Sequence, residues 1–256
     1  NGRVSEIQEA QMTTISSEGV FPLKINGNFD DCQNIVKTIF ENLNFKKRLK
    51  LTAVNSINWA RLVPQIVYYF YSALKVTTPG NKVAFSVPTG NFGNIYAGWC
   101  AKKMGLPIEK LICASNKNNI LTRFFNSGKM EIRNVEQSYS PSMDIQISSN
   151  FERLLFDIYN MDSEIVKSKM SEFRQNGIFK IEDNLLKDLL NTFYAVDVND
   201  NNILETIKDV FHCNKIVIDP HTACGVYSQN QIRKKGQISS TTPIINLACA
   251  HPAKFP

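Results

Sequence analysis

Three short segments combine residue types that handle anions. Pro88-Thr89-Gly90-Asn91-Phe92-Gly93-Asn94 follows a β-branched and aromatic run and precedes a helical one. Glycines let such a turn close tightly. The N–H groups opening the next helix carry the positive end of its dipole, so a strand-turn-helix of this kind can hold a phosphate. A plain connection is the alternative. Gly-x-Gly-x-x-Gly is absent and no Gly-Lys-Ser/Thr follows, which excludes the dinucleotide fingerprint and the Walker A loop. The second segment, Asn55-Ser56-Ile57-Asn58-Trp59-Ala60-Arg61, sets two amides, a hydroxyl and a guanidinium within two turns of a helix start. Neutral donors beside a forked cation suit an oxyanion, and an Asn/Ser helix cap with a surface arginine is the alternative. The third, Asn246-Leu247-Ala248-Cys249-Ala250-His251-Pro252, closes a short apolar run, as Asp219-Pro220-His221 closes another. Ligands of open parallel sheets lie beyond the carboxyl ends of the strands, so both are site candidates. A structural histidine and a helix cap are their alternatives.

Such residues need a scaffold, and the hydrophobic periodicity supplies one. Val20 to Ile25, Lys82 to Val87, Lys110 to Ala114, Lys215 to Asp219 and Ile244 to Ala248 read as strands. Asp30 to Leu43 places Ile35, Val36, Ile39, Phe40 and Leu43 on one helical face. Asn94 to Met104 is a second helix, ended by Gly105 and Pro107, and Leu62 to Leu74 reads as a buried one. Strands alternating with helices predict an α/β fold around a mostly parallel sheet. Residues from about 148 to 212 show no strong strand signal and read as a helical insertion. Its first helix is announced by the capping-box pattern Ser149-x-x-Glu152, and Glu164 to Asn176 and Ile203 to Phe211 add further helices.

Composition bounds the function. The 256 residues, 43% of them hydrophobic, can build a sizeable core. The net charge of +6 is scattered in twos and threes, a pattern of solvated faces rather than of a nucleic-acid partner. No apolar run reaches the roughly 18 residues a membrane helix needs. The cysteines at 32, 100, 113, 213, 224 and 249 form no C-x-x-C pair, and the three histidines have no zinc-ligand spacing, so a reduced cytoplasmic protein without a structural metal is expected. The chain opens on Asn1-Gly2-Arg3 without a signal peptide and reads as an internal piece of a longer protein.

Taken in order, these segments resemble the threonine synthase family, pyridoxal 5'-phosphate enzymes of the tryptophan-synthase-β-like fold (fold type II). The resemblance rests on Gly2-Arg3-Val4-Ser5 with Gln11-Met12-Thr13-Thr14, on Phe29-Asp30-Asp31-Cys32-Gln33, on Ala53 to Arg61, and on Pro88 to Asn94 running through Lys102-Lys103-Met104-Gly105-Leu106-Pro107. It continues in Ser140-Pro141-Ser142-Met143-Asp144, Ser148-Ser149-Asn150-Phe151-Glu152-Arg153, Asp219 to Ala223 and Ala250 to Phe255. It implies two open, mostly parallel sheet domains closing on the cofactor. Residues 1–50 would complete the smaller one, and residues 51–256 would form most of the larger, with its helical insertion. It further implies that Gly90, Asn91, Phe92, Gly93 and Asn94 hold the cofactor phosphate, and that Asn55, Ser56, Asn58 and Arg61 surround the substrate's phosphate. The implied reaction turns O-phospho-L-homoserine and water into L-threonine and phosphate, in a monomer or homodimer.

Two departures from the family pattern stand out. The His-Gly-Pro-Thr-x-x-Phe-Lys-Asp segment bearing the Schiff-base lysine is absent, and so is the Gly-Asp-Thr-Gly turn. The resemblance puts both upstream of Asn1, so the chain looks like the C-terminal portion of such an enzyme. Lys254 belongs to a different family segment and is no replacement. Cys249 stands where the family usually has a threonine facing the pyridine nitrogen. Two rival readings remain: a related phospho-lyase releasing a 2-oxo acid, ammonia and phosphate, and a non-catalytic truncated relative.

Overall fold

The computed structural model describes residues 6–15, 17–27, 29–56 and 58–255; Gly2-Arg3-Val4-Ser5 and Ile57 lie outside them. Three helices open the chain: α1 (Glu6–Thr13), α2 (Phe29–Glu41) and α3 (Leu43–Leu49). Then follow α4 (Trp59–Val76), β1 (Val83–Pro88), α5 (Gly93–Lys103), β2 (Ile108–Ser115), α6 (Ile120–Ser127) and β3 (Lys129–Glu131). The second half contains α7 (Phe151–Ile158), α8 (Ser163–Asn176), β4 (Ile178–Lys180), α9 (Asp183–Leu190), β5 (Phe193–Asp197), α10 (Asp200–Asn214), α11 (Pro220–Lys234) and β6 (Ile244–Asn246).

Four strands form a parallel sheet in the order β5-β2-β1-β6, while β3 and β4 pair antiparallel in a separate ribbon. All of β1 is buried, and its side chains alternate between two helical layers. Val83, Phe85 and Val87 join the main core with residues of α4, α5 and α6, whereas Ala84 packs toward Ile232 of α11. Ser86 also faces α11 and donates to the Gly225 carbonyl at 2.7 Å. An ideal Cβ on Gly98 of α5 would lie 2.5 Å from Tyr69 Cε1, so glycine there lets α4 and α5 pack closely.

Several sequence expectations change. Residues 20–25 are not a strand, and Phe21 and Leu23 are 80% and 85% exposed. No neighbouring strand supplies the hydrogen bonds that their β propensity needs. Residues 216–219 are likewise irregular, leading from α10 into the Asp219 cap of α11. The helix over Leu62 to Leu74 is present in α4 but only one face is buried: Leu62, Tyr69 and Ala73 pack inward, while Val67, Tyr68, Tyr71 and Leu74 are exposed. Residues 148–212, read as a helical insertion without a strong strand signal, hold α7, α8, α9 and most of α10 but also β4 and β5, and β5 is a full strand of the main sheet. Its sequence, Phe-Tyr-Ala-Val-Asp, is too short between two helices for its period to stand out. The Ser149/Glu152 capping box does not form. Helix α7 starts after Asn150, and the Ser149 hydroxyl turns to Asn91 Oδ1 at 3.4 Å.

Candidate functional site

Strand order decides where the site lies. The connection from β1 leads to β2 on one side, while β6 pairs on the other, so a crevice opens beyond the carboxyl ends of β1 and β6. The turn after β1 and the segment 247–251 flank it, and α4 and α5 both direct their N-termini to it.

The turn is built under strain. Phe92, the N-cap residue of α5, sits at φ 62° and ψ 2°, and no side chain caps the helix. A left-handed conformation costs an L-residue about 1–2 kcal/mol. Burying the phenylalanine ring is worth about 1.5–3 kcal/mol, enough to offset that cost. The ring lies 5.2 Å from Phe151, 5.9 Å from Phe193 and 6.3 Å from Phe125. Phe92 therefore gives its side chain to the core and only its backbone to the turn. Gly90 and Gly93 sit at close approaches: a Cβ on Gly90 would stand 3.1 Å from the Ser142 carbonyl, and one on Gly93 3.3 Å from both Asn150 Nδ2 and Ser56 Cβ, so a side chain at either position would press on its neighbours.

Between the turn and the start of α4 lies a cleft of about 340 Å³, lined by Val54, Asn55, Ser56, Arg61 and Gln65 on one wall and by Pro88 to Asn94 on the other. The two predicted anion-handling segments, remote in sequence, thus face each other. No lysine is among these lining residues. Gln65 Oε1 is buried there without a hydrogen-bond partner. Asn58 departs from expectation. Its Oδ1 accepts from Ala60 N at 3.1 Å as the N-cap of α4 and its Nδ2 donates to the Ala53 carbonyl at 2.9 Å, so it shapes the wall and does not line the cleft.

Asn150 and Arg153 tie the two walls together. Asn150 Nδ2 donates to Ser56 Oγ at 2.7 Å and to the Asn91 carbonyl at 2.9 Å, and its backbone N–H also donates to Asn91 O at 3.1 Å. Arg153 donates to Asn150 Oδ1 at 3.1 Å and to the Ser56 carbonyl at 3.3 Å, with its guanidinium 5.4 Å from the Trp59 ring centre. The Ser148 hydroxyl donates to the Gly90 carbonyl at 2.9 Å. In the sequence these residues stand in a segment that reads as a helix cap and carries part of the family resemblance, and nothing local shows that they bridge two walls. Gln65 and Tyr69 carry no signal there beyond helical periodicity.

The third predicted segment arrives at the rim. Asn94 Nδ2 donates to Cys249 Sγ at 3.4 Å. His251 Nδ1 accepts from Ala253 N at 3.2 Å, which makes it a local cap. His221 accepts from Ser142 N at Nε2, 3.2 Å, so its proton sits on Nδ1 and is donated to Asp219 Oδ1 at 2.8 Å. Burial alone would raise the Asp219 carboxyl, but hydrogen bonds from His221 and Thr222 outweigh it and hold the group below its ordinary value. This pair braces the loop that rests on Gly90. Among the described residues no cluster could hold a metal ion, and no helix is long and apolar enough to cross a membrane.

Residues 222–256 match the family model "Threonine synthase, C-terminal". The chain is 45% identical over 256 residues to threonine synthase of Pseudomonas aeruginosa, covering 100% of this chain and 54% of that protein. It superposes on the crystal structure of a PLP-bound threonine synthase from Brucella melitensis with a TM-score of 0.86 at 50% identity, covering 100% of this chain and 54% of the other. Yeast threonine synthase gives a TM-score of 0.86 at 44% identity, with 100% and 53% covered. The chain thus spans about half the length of the relatives it matches.

Proposed function

From its similarity to threonine synthases along its whole length, we propose that the protein is a pyridoxal-phosphate-dependent lyase of that family that converts O-phospho-L-homoserine and water into L-threonine and phosphate. The observation that carries this reading is the opposition of two anion-handling walls across one cleft. A cofactor and a substrate that each bear a phosphate need such a pair.

The residues present fit the cofactor. The backbone of the turn is bare at Gly90 and Gly93, where a Cβ would be tightly crowded, and α5 opens without a side-chain cap. Gly90, Asn91, Phe92, Gly93 and Asn94 would hold the cofactor phosphate through the backbone and helix dipole, and Cys249, beside Asn94, would offer its thiol to the ring nitrogen. Bound there, pyridoxal phosphate supplies the electron sink that lets protons leave carbons near the amino group. The opposite wall does the rest. Arg61, Ser56 and Asn55 would bind the substrate's phosphate, fix its orientation and stabilise the charge that builds as phosphate departs. Asn58 holds that wall in shape.

Residues 1–50 are assigned to the smaller domain and 51–256 to the larger. The exposed apolar side chains Phe21, Leu23 and Leu43 support this division, since such surface is what an interdomain contact covers. Six free thiols support a reducing, cytoplasmic setting.

The purified natural protein, given pyridoxal phosphate and O-phospho-L-homoserine, is expected to release L-threonine and phosphate in equal amounts. Release of 2-oxobutyrate, ammonia and phosphate would assign the phospho-lyase reading instead. No phosphate release would leave a binding protein.

A further inference from the structure

We propose that Asn150 is a positioning residue that fixes the direction of the Ser56 hydroxyl, so that Ser56 donates its proton into the cleft toward the substrate's phosphate. This rests on the reading above that Ser56 faces that phosphate.

Hydrogen-bond direction carries the inference. The Asn150 side chain can be oriented in only one way. Arg153 Nε can only donate, so the atom 3.1 Å from it is the Asn150 oxygen; the Asn91 carbonyl can only accept, so the atom 2.9 Å from it is the Asn150 nitrogen. That nitrogen has two protons. One goes to Asn91 O and the other to Ser56 Oγ at 2.7 Å. The serine oxygen is therefore an acceptor from Asn150, and its single proton must point elsewhere. Ser56 lines the cleft, and an anionic oxygen is the acceptor such a proton suits.

The surroundings leave Asn150 little freedom. It is 2% exposed, its backbone N–H is bonded to Asn91 O, and Gly93 packs closely against both it and Ser56. Arg153 also holds the Ser56 carbonyl, so the backbone and side chain of Ser56 are gripped from the same helix.

The test uses the natural protein saturated with pyridoxal phosphate, so that the cofactor's own phosphate site is filled, and titrates inorganic phosphate calorimetrically into wild type, Ser56→Ala, Asn150→Ala and the double variant. Ser56→Ala and Asn150→Ala are each expected to weaken phosphate binding roughly tenfold, and the double variant to be no more than about twofold worse than either single one. Independent, multiplying losses would overturn the proposal, as would unchanged affinity in Asn150→Ala alongside a loss in Ser56→Ala. If Ser56→Ala leaves affinity unchanged, the assignment of Ser56 to the substrate's phosphate fails and this inference with it. Should Asn150→Ala not fold, Asn150→Asp keeps the volume and the Arg153 bond but takes the serine proton for itself. It is expected to weaken phosphate at least tenfold, and retained affinity would overturn the proposal.

Discussion

The hydroxyl of Tyr69 lies 2.8 Å from the Asn94 carbonyl and 3.0 Å from Asn94 Oδ1, joining α4 to the first turn of α5 across their closest packing. This bond aims the rest of Asn94. With Oδ1 held by Tyr69, Nδ2 faces Cys249. Burial pushes the Tyr69 phenol well above its ordinary range, so it remains a donor at any working pH.

Tyr69→Phe removes the one proton that the two Asn94 oxygens share and keeps the ring in place. The expected loss is about 0.5–1.5 kcal/mol of stability, read as a lower urea midpoint with an unchanged slope. An unchanged midpoint would show that the bond contributes nothing.

Phe92 separates two opposing effects. Phe92→Ala loses the buried ring, at about 3–5 kcal/mol, and keeps the left-handed backbone. Phe92→Gly loses the same ring but relieves about 1 kcal/mol of strain. Glycine is thus expected to be the milder substitution by roughly that amount, although both destabilise. If denaturant unfolding finds alanine the milder, the strain at φ 62° is not what distinguishes this position.

Asp219 gives the fold a dependence on acid. Its folded pKa lies below the ordinary value because the bonds from His221 and Thr222 outweigh burial. A depressed carboxyl contributes stability that is fully present above its unfolded pKa of about 3.9 and is lost as pH falls through the lower folded value. Asp219→Asn should therefore be less stable than the parent at neutral pH and converge toward it in strong acid. Thermal unfolding from pH 7 downward checks this, and a constant gap across the range would refute the linkage.

Cys249 can be changed to the threonine that the family resemblance implies at this position. Cys249→Thr replaces a weak sulfur partner of Asn94 with a hydroxyl and, under the proposed function, is expected to preserve or raise turnover by the natural protein. Steady-state assay with O-phospho-L-homoserine decides it, and a marked fall in turnover would remove Cys249 from the ring-facing role.

Local chemistry made part of this architecture legible in advance. The run Val83 to Val87 is β-branched and aromatic, and Gly90 and Gly93 punctuate it, so strand, turn and helix follow from the chain alone. Residues 20–25 and 216–219 have the same apolar character but no pairing partner, and pairing is a property of the sheet. The capping-box pattern at Ser149 failed for a similar reason. Asn91 competed for the serine and the helix began one residue later.

The sequence by itself determined the alternation of strands and helices, two segments whose residue types suit an anion and the family that they resemble, because these depend on neighbours within a few residues. Only the tertiary structure decided that Asn55 to Arg61 and Pro88 to Asn94 face each other, that Asn58 caps while Ser56 lines the cleft, and that Asn150 donates to Ser56 and Tyr69 to Asn94. Those outcomes depend on strand order, which carries the turn after β1 to the crevice beside β6, and on the packing of α4 against α5. A hydrogen bond between residues 94 positions apart, as between Ser56 and Asn150, leaves no trace in local spacing.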